Sequence, residues 1–201
     1  MKNALRILSV FVVSGVQMAS AQNTTLAYDV PEAYAVYSAI MANEWPIRVA
    51  KAKRLVIQAE TTDYPDYSKD EKICLVPAKD EKSLYDPVIA DYVTVNKKAW
   101  LLQRKFEIGI PYEFISKAEI SAIFEKKGMD GWTDLRAKYP DSGGIISMSA
   151  VGFNADKTIA IVYMGQSCGG LCGGGLYHVL KKVDGKWGEI KWLGISCMWA
   201  S

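Results

Sequence analysis

The chain has 201 residues, half of them hydrophobic, with 24 basic and 22 acidic side chains and a single histidine. A domain of this length buries about 70% of its unfolded surface, so its core does not depend on covalent staples. The near-balance of charge lacks the basic excess with which nucleic-acid binders displace phosphate counterions, and excludes that class.

Residues 1–21 read as a secretory signal peptide. Lys2 and Arg6 make a basic start, Ile7 to Val16 a mostly apolar stretch, and Ala19-Ser20-Ala21 a small-residue cleavage site. A spanning helix needs about 20 apolar residues, and Gly15, Gln17 and Ser20 interrupt this run. Gln22 follows the cut, so no cysteine stands there to carry a lipid. The expectation is an exported chain, periplasmic or extracellular, with no membrane span after cleavage. Lys2 and Arg6 leave with the leader, so the remaining basic residues match the 22 acidic ones and the formal charge falls to zero.

Residues 22–201 are expected to form a single α+β domain, with no internal repeat and no low-complexity linker. Pro31 opens a first helix carrying Ala33, Tyr34, Tyr37, Ile40 and Met41, to about Asn43. Trp45-Pro46 stops it, because a residue before proline is pushed out of the α region. Arg54 to Glu60 reads as a strand, and Thr61 to Lys82, rich in charge and carrying Pro65 and Pro77, as a surface excursion. Asp86-Pro87 is expected to start a second helix with Val88, Ile89, Tyr92 and Val93. From Trp100 to Ile108 the pattern alternates with period two and predicts a strand. Ser116 and Glu119 form a capping box for a helix that Gly128 should end. Four strands follow, at Ile145–Phe153, Thr158–Met164, Leu176–Val183 and Lys186–Leu193. Asn154 to Lys157 forms one turn, and Asp184-Gly185 is a two-residue hairpin turn. Helices first and an antiparallel meander of about four strands last predict an α+β fold with a curved, cystatin-like or nuclear-transport-factor-like sheet.

The C-terminal part carries Gly131-Trp132, Tyr139-Pro140 with Ser142-Gly143, and Ser149 with Val151-Gly152-Phe153-Asn154. Ala160 with Val162-Tyr163, the glycine-rich stretch around Cys168 and Cys172, and Asp184-Gly185-Lys186-Trp187 follow in order. This string resembles a group of exported bacterial proteins of uncharacterised function. The likeness covers residues 128–199 and extends loosely upstream to Leu55-Val56-Ile57 with Thr61, and to Asp91-Tyr92. The resemblance implies a family and brings no activity or functional residue with it.

The chemistry concentrates between Gly165 and Gly175. Gly165-Gln166-Ser167-Cys168-Gly169 fits the pattern of a nucleophile elbow, which needs a tight turn from strand into helix. The glycines that follow cannot start a stable helix, each costing about 1 kcal/mol against alanine. The only histidine, His178, comes with no acid between it and the serine. A Walker loop would need Gly-Lys-[Ser/Thr] at a helix start, which is missing. A backbone nest for an anion is the remaining ligand reading, against a plain β-connection in which glycines allow sharp reversal or close approach.

Four cysteines in an exported chain point to disulfides. Of three possible connectivities, Cys168–Cys172 with Cys74–Cys197 is favoured, the short bridge serving to rigidify a segment almost without side chains. Zinc wants four ligands, and two cysteines and one histidine fall short, so no metal or cofactor is expected. A redox role lacks the C-x-x-C spacing and helix N-terminus that lower a thiol pKa. The six tryptophans, Trp45, Trp100, Trp132, Trp187, Trp192 and Trp199, are read as pins between helices and sheet rather than a ligand groove.

The functional expectation is a non-catalytic exported domain that binds a protein, peptide or small ligand. Its contact surface would comprise Gly165, Gly169, Gly170, Gly173, Gly174, Gly175, Tyr177 and His178. The alternative is a secreted enzyme, hydrolase or thiol-redox, using His178 or the Cys168/Cys172 loop. Intact mass of exported material should place the mature N-terminus at Gln22, and retention of residues 1–21 would overturn the leader assignment.

Overall fold

The computed structural model describes residues 25–42, 52–62, 74–191 and 198–201. The leader, the Trp45-Pro46 stop, Trp192, Leu193 and Cys197 lie outside the described residues; the strand expected over Lys186–Leu193 ends at Glu189, before Ile190 and Lys191.

The elements are α1 (Pro31–Ala42), β1 (Arg54–Gln58), α2 (Lys82–Val95), β2 (Tyr112–Ile115), α3 (Lys117–Lys127), a 3-10 turn (Gly128–Asp130) and α4 (Gly131–Lys138). They continue with β3 (Ser142–Met148), β4 (Gly152–Phe153), β5 (Ile159–Gly169), β6 (Cys172–Val183), β7 (Lys186–Glu189) and β8 (Met198–Ala200). The strands form one sheet in the order β2-β1-β3-β5-β6-β7, with β4 beside β5 and β8 beside β6. Strand β1 runs parallel to both β2 and β3, and the other pairings are antiparallel.

This corrects the expected architecture. Helices do not precede a four-strand meander, nor does a cystatin-like or nuclear-transport-factor-like sheet form. The helices alternate with strands, and the sheet is mixed, eight-stranded and covered on both faces.

The reason lies in β5. Ile159 to Met164 is apolar at every position and buried at every position, the mark of a strand with cover on two sides. Ala160, Val162 and Met164 join α1 through Val36, Tyr37 and Ile40. Ile159, Ile161 and Tyr163 point the other way, into a cluster with Tyr85, Val88 and Tyr92 of α2. On that same second face α3 and α4 cover Val56 and Ile145 with Leu135 and Ile123. Full burial of such a side chain contributes about 1.5–3 kcal/mol.

Several local expectations meet the structure directly. Pro31 is the first residue of α1. The Ser116 hydroxyl accepts the Glu119 N–H at 3.1 Å, and Gly128 closes α3 at φ 52°. Asp184 and Gly185, at φ 48° and 77°, join β6 to β7.

Others are corrected. Helix α2 starts at Lys82, five residues before Pro87, which sits inside it; Tyr85 in the added turn is buried. The excursion from Thr61 to Lys82 is not all surface, since Thr61, Cys74 and Leu75 are buried. Trp100–Ile108 is not a strand. Its alternation does bury Leu102 and Phe106, but its amides are met mostly by irregular partners. Gln103 N–H donates to the Tyr34 hydroxyl, and Glu107 N–H to the Ser38 hydroxyl.

The expected strand Ile145–Phe153 breaks at Ser149–Val151, where side chains replace the ladder. Ala150 N–H donates to the Asn96 amide oxygen at 2.8 Å, and Val151 N–H to the Tyr28 hydroxyl at 3.0 Å. The Tyr37 hydroxyl donates to the Ser149 carbonyl at 2.6 Å, and burial holds the Tyr28 and Tyr37 phenols well above the usual tyrosine range.

After the break, β4 is pressed against α2. A Cβ on Gly152 would lie 2.5 Å from Tyr92 backbone atoms. Gly152→Ala should therefore lower stability by about 3 kcal/mol, the upper end of overpacking costs, in urea or thermal unfolding. Gly188→Ala, with nothing within 4 Å of its Cβ, should change it little.

Candidate functional site

Strands β5 and β6 form a long hairpin whose outer half is the glycine-rich stretch. Gly165 pairs with Gly175, Gln166 with Gly174, Ser167 with Gly173, and Gly169 with Cys172. What read as a loop is therefore ladder almost to its end, and the turn is only Gly170-Leu171. Cys168 and Cys172 are bonded across the tip, with Cα atoms 5.1 Å apart. Cys74 is disulfide-bonded too; its expected partner, Cys197, lies outside the described residues.

The glycines are here for proximity. None of Gly165, Gly169, Gly173, Gly174 and Gly175 occupies the left-handed region. A Cβ on Gly175 would lie 2.1 Å from the Tyr163 hydroxyl and 2.6 Å from Trp199 Nε1. On Gly173 it would meet the Gln166 carbonyl at 2.9 Å and the Trp199 ring at 3.0 Å. The side-chain-free strand thus leaves a trough, and β8 pairs alongside it, with Trp199 opposite Gly175. The indole N–H donates to the Tyr163 hydroxyl at 2.5 Å. Beyond β8, Ser201 and Gly173 exchange backbone bonds. At the other edge of β5, β3 adds a further close approach: Gly144, at φ 99°, faces the Ser167 carbonyl where a Cβ would be 2.2 Å away.

The elbow reading of Ser167 is excluded by this geometry, because the serine lies mid-ladder between Ile145 and Gly173 with strand on both sides. Tyr177 is buried against Tyr92 and Tyr163. His178 is only 1% exposed and sits opposite Val162. Its Nδ1 lies 2.7 Å from Glu189 Oε1. This pair resembles half of an acid–base apparatus, yet His178 is sealed within the sheet and lines neither the cleft beside β4 nor the one beside α1. Of the expected contact residues, then, the glycines gather at the tip and edge of the hairpin, while Tyr177 and His178 belong to the core.

What the tip exposes is apolar. Leu171 is 88% exposed, and along the neighbouring β8 Met198 is 75% and Trp199 36% exposed. Leu171, Met198 and the pairing of β8 carried no sequence signal beyond hydrophobicity.

A second concavity lies at the opposite end of β5. About 670 Å³ in volume, it is lined by Tyr28, Asp91, Trp100, Phe153 and Lys157, among others. Sequence reasoning did not bring these residues together, although Asp91 and Phe153 both stand in the family-like string. A third, of about 480 Å³, lies between α1 and residues 104–107. Among the described residues no three His, Cys, Asp or Glu side chains gather as a metal site, and no helix is long and apolar enough to cross a membrane.

No protein-family model, no curated protein and no solved structure matches this chain.

The tip disulfide closes a short ring, for which chain entropy supplies about 2 kcal/mol at most. The Cys168→Ser, Cys172→Ser double variant should lose no more than that in unfolding. Hydrogen exchange should quicken at 168–174 while amides of 159–164 stay protected.

Proposed function

We propose that this is an exported, non-catalytic binding protein that engages a protein partner through the tip of the β5–β6 hairpin. The observation that carries the reading is Leu171, 88% exposed on a turn clamped by the Cys168–Cys172 bridge. Single exposed leucines are ordinary on protein surfaces. This one stands on a covalently held two-residue turn, and Trp199, packed over Gly173 and Gly175, is partly exposed farther along the same hairpin.

Pre-ordering has a physical consequence. A contact loop that is already rigid when free loses less entropy on binding, so more of the apolar burial appears as affinity. Bridge, glycine ladder and Trp199 together fix the tip in that way. Export supplies the oxidising compartment in which the bridge forms, and the likeness to exported bacterial proteins agrees with that address. An enzyme is less well supported, since both tip cysteines are bonded to each other and His178 is buried.

The test places a photo-crosslinking residue at position 171 and exposes the protein to the extracytoplasmic fraction of its source. A defined adduct should form that excess native protein suppresses and the Leu171→Asp variant does not. At an exposed turn that substitution changes stability by only about 0.5 kcal/mol or less, so loss of competition reports the contact. Adducts suppressed equally by both competitors, or no adduct at all, would reject the tip as the binding surface.

A further inference from the structure

The cleft at the start of β5 combines three aromatic rings with one carboxylate, Asp91, that forms no ion pair among the described residues. Its walls come from four places: Tyr28 and Val30 before α1, Pro87, Asp91 and Val95 on α2, Trp100 after it, and Val151 and Phe153 at β4. The Tyr28 and Trp100 rings meet at 5.8 Å between centroids, tilted by 48°. The close contact of Gly152 with α2 brings Asp91 to the end of β4, where its Oδ2 accepts the Phe153 N–H at 2.7 Å. That bond fixes the carboxylate in the wall and leaves Oδ1 for a ligand.

The other charges on the lining are accounted for. Asp29 is paired with Lys105 at 2.6 Å. Lys157 is exposed at the rim and reaches over the Phe153 ring at 6.0 Å, without forming an ion pair with Asp91. Lys98, outside the lining, already sits 4.0 Å from the Trp100 ring centroid, so this ring carries a cation on its face in the protein itself. Tyr28 and Trp100 spend their polar atoms internally: the phenol on Val151, the indole N–H on the Val95 carbonyl at 2.8 Å. With those atoms turned inward, what the two residues add to the lining is apolar, little of it from Tyr28, which is 3% exposed.

We infer that this cleft is a binding site for a small organic ammonium ion with an apolar or aromatic body. Its nitrogen pairs with Asp91, and its body lies against Trp100, Tyr28 and Phe153. The electron-rich faces of aromatic rings attract a cation, most strongly when it is drawn out of water. A half-buried carboxylate then adds an ionic attraction that a neutral ligand lacks, and to a primary ammonium a charge-assisted hydrogen bond as well. The volume is within the usual range of small-molecule pockets. This site lies apart from the hairpin tip and does not depend on the tip's role.

The probes are 2-phenylethylamine and benzyltrimethylammonium, set against the neutral 2-phenylethanol and the anionic 3-phenylpropionate, by calorimetry and by the Trp100 indole N–H resonance. Both ammonium probes should saturate one site at millimolar concentration or below and move that resonance. The alcohol should bind about tenfold or more weakly, the loss expected for a missing bond to a charged group. Asp91→Asn keeps an oxygen for the Phe153 amide and should weaken the ammonium probes by a similar factor. Lys157→Ala removes the competing rim cation and should strengthen them. Equal binding of amine and alcohol by the native protein, tighter binding of the carboxylate, or no saturable binding of either ammonium probe would overturn the assignment. The comparison of amine with alcohol needs no variant, so it holds even if Asp91→Asn fails to fold.

Discussion

A strand that is apolar on both faces cannot sit at a surface, and β5 is such a strand. From Ile159 to Met164 no residue can turn to water without exposing its neighbours' partners, so two layers must form, one on each side. α1 supplies the first and α2 the second. The remaining strands follow from hydrogen-bond demand at the edges of β5: β6 takes one edge along most of its length, and β3 and β4 share the other. β1 and β2 then extend the sheet in parallel beyond β3, and α3 with α4 covers that wing.

The division of one edge between β3 and β4 has its own cause. Between them, Ser149 still donates its N–H to the Tyr163 carbonyl, but three side chains from elsewhere meet the Ser149 carbonyl and the Ala150 and Val151 N–H groups: Tyr37, Asn96 and Tyr28. Buried phenols are suited to this because one oxygen both donates and accepts while the ring fills space. The break turns β4 toward α2, and the missing side chain of Gly152 lets the two backbones nearly touch. Asp91 and Phe153 meet only because of that contact. The cleft is thus a consequence of how the sheet is interrupted.

Much of this was legible as local chemistry and little of it as topology. Ser116, Gly128, Pro31 and the Asp184-Gly185 turn act through their own neighbours, and their sequence signatures translate directly into geometry. Ile159–Met164 also carried its message, a continuous apolar run rather than an alternating one, but a four-strand meander leaves that run half uncovered. Trp100–Ile108 misled for the opposite reason. Period-two burial is real there, yet a strand also requires a neighbour with free carbonyls and amides, and α1 instead offers Tyr34 and Ser38 hydroxyls. The parallel pairing of β1 with β2 joins residues more than fifty positions apart and leaves no local trace. The glycines between 165 and 175 were ambiguous because a flexible loop and a close-packed ladder require the same absence of side chains. Trp199, far along the chain, decides between them.

The two candidate sites sit at opposite ends of one strand. β4 and the cleft lie beside Ala160 and Ile161, while the clamped turn follows Gly169; at about 3.3 Å per residue the separation is roughly 30 Å. Communication over that distance needs an element with two arrangements of similar energy. β5 is a poor candidate for one, because sliding it by one residue would send every apolar side chain to the wrong face. The cleft rests on β4, the 149–151 break and α2, and the tip on the bridge and Trp199; Tyr163 touches both, its N–H donating to the Ser149 hydroxyl and its own hydroxyl accepting the Trp199 indole N–H. Among the described residues, occupation of the cleft can reach the tip only by moving Tyr163, which is buried on a strand whose register the apolar run fixes, so the two surfaces read as separate features of one scaffold.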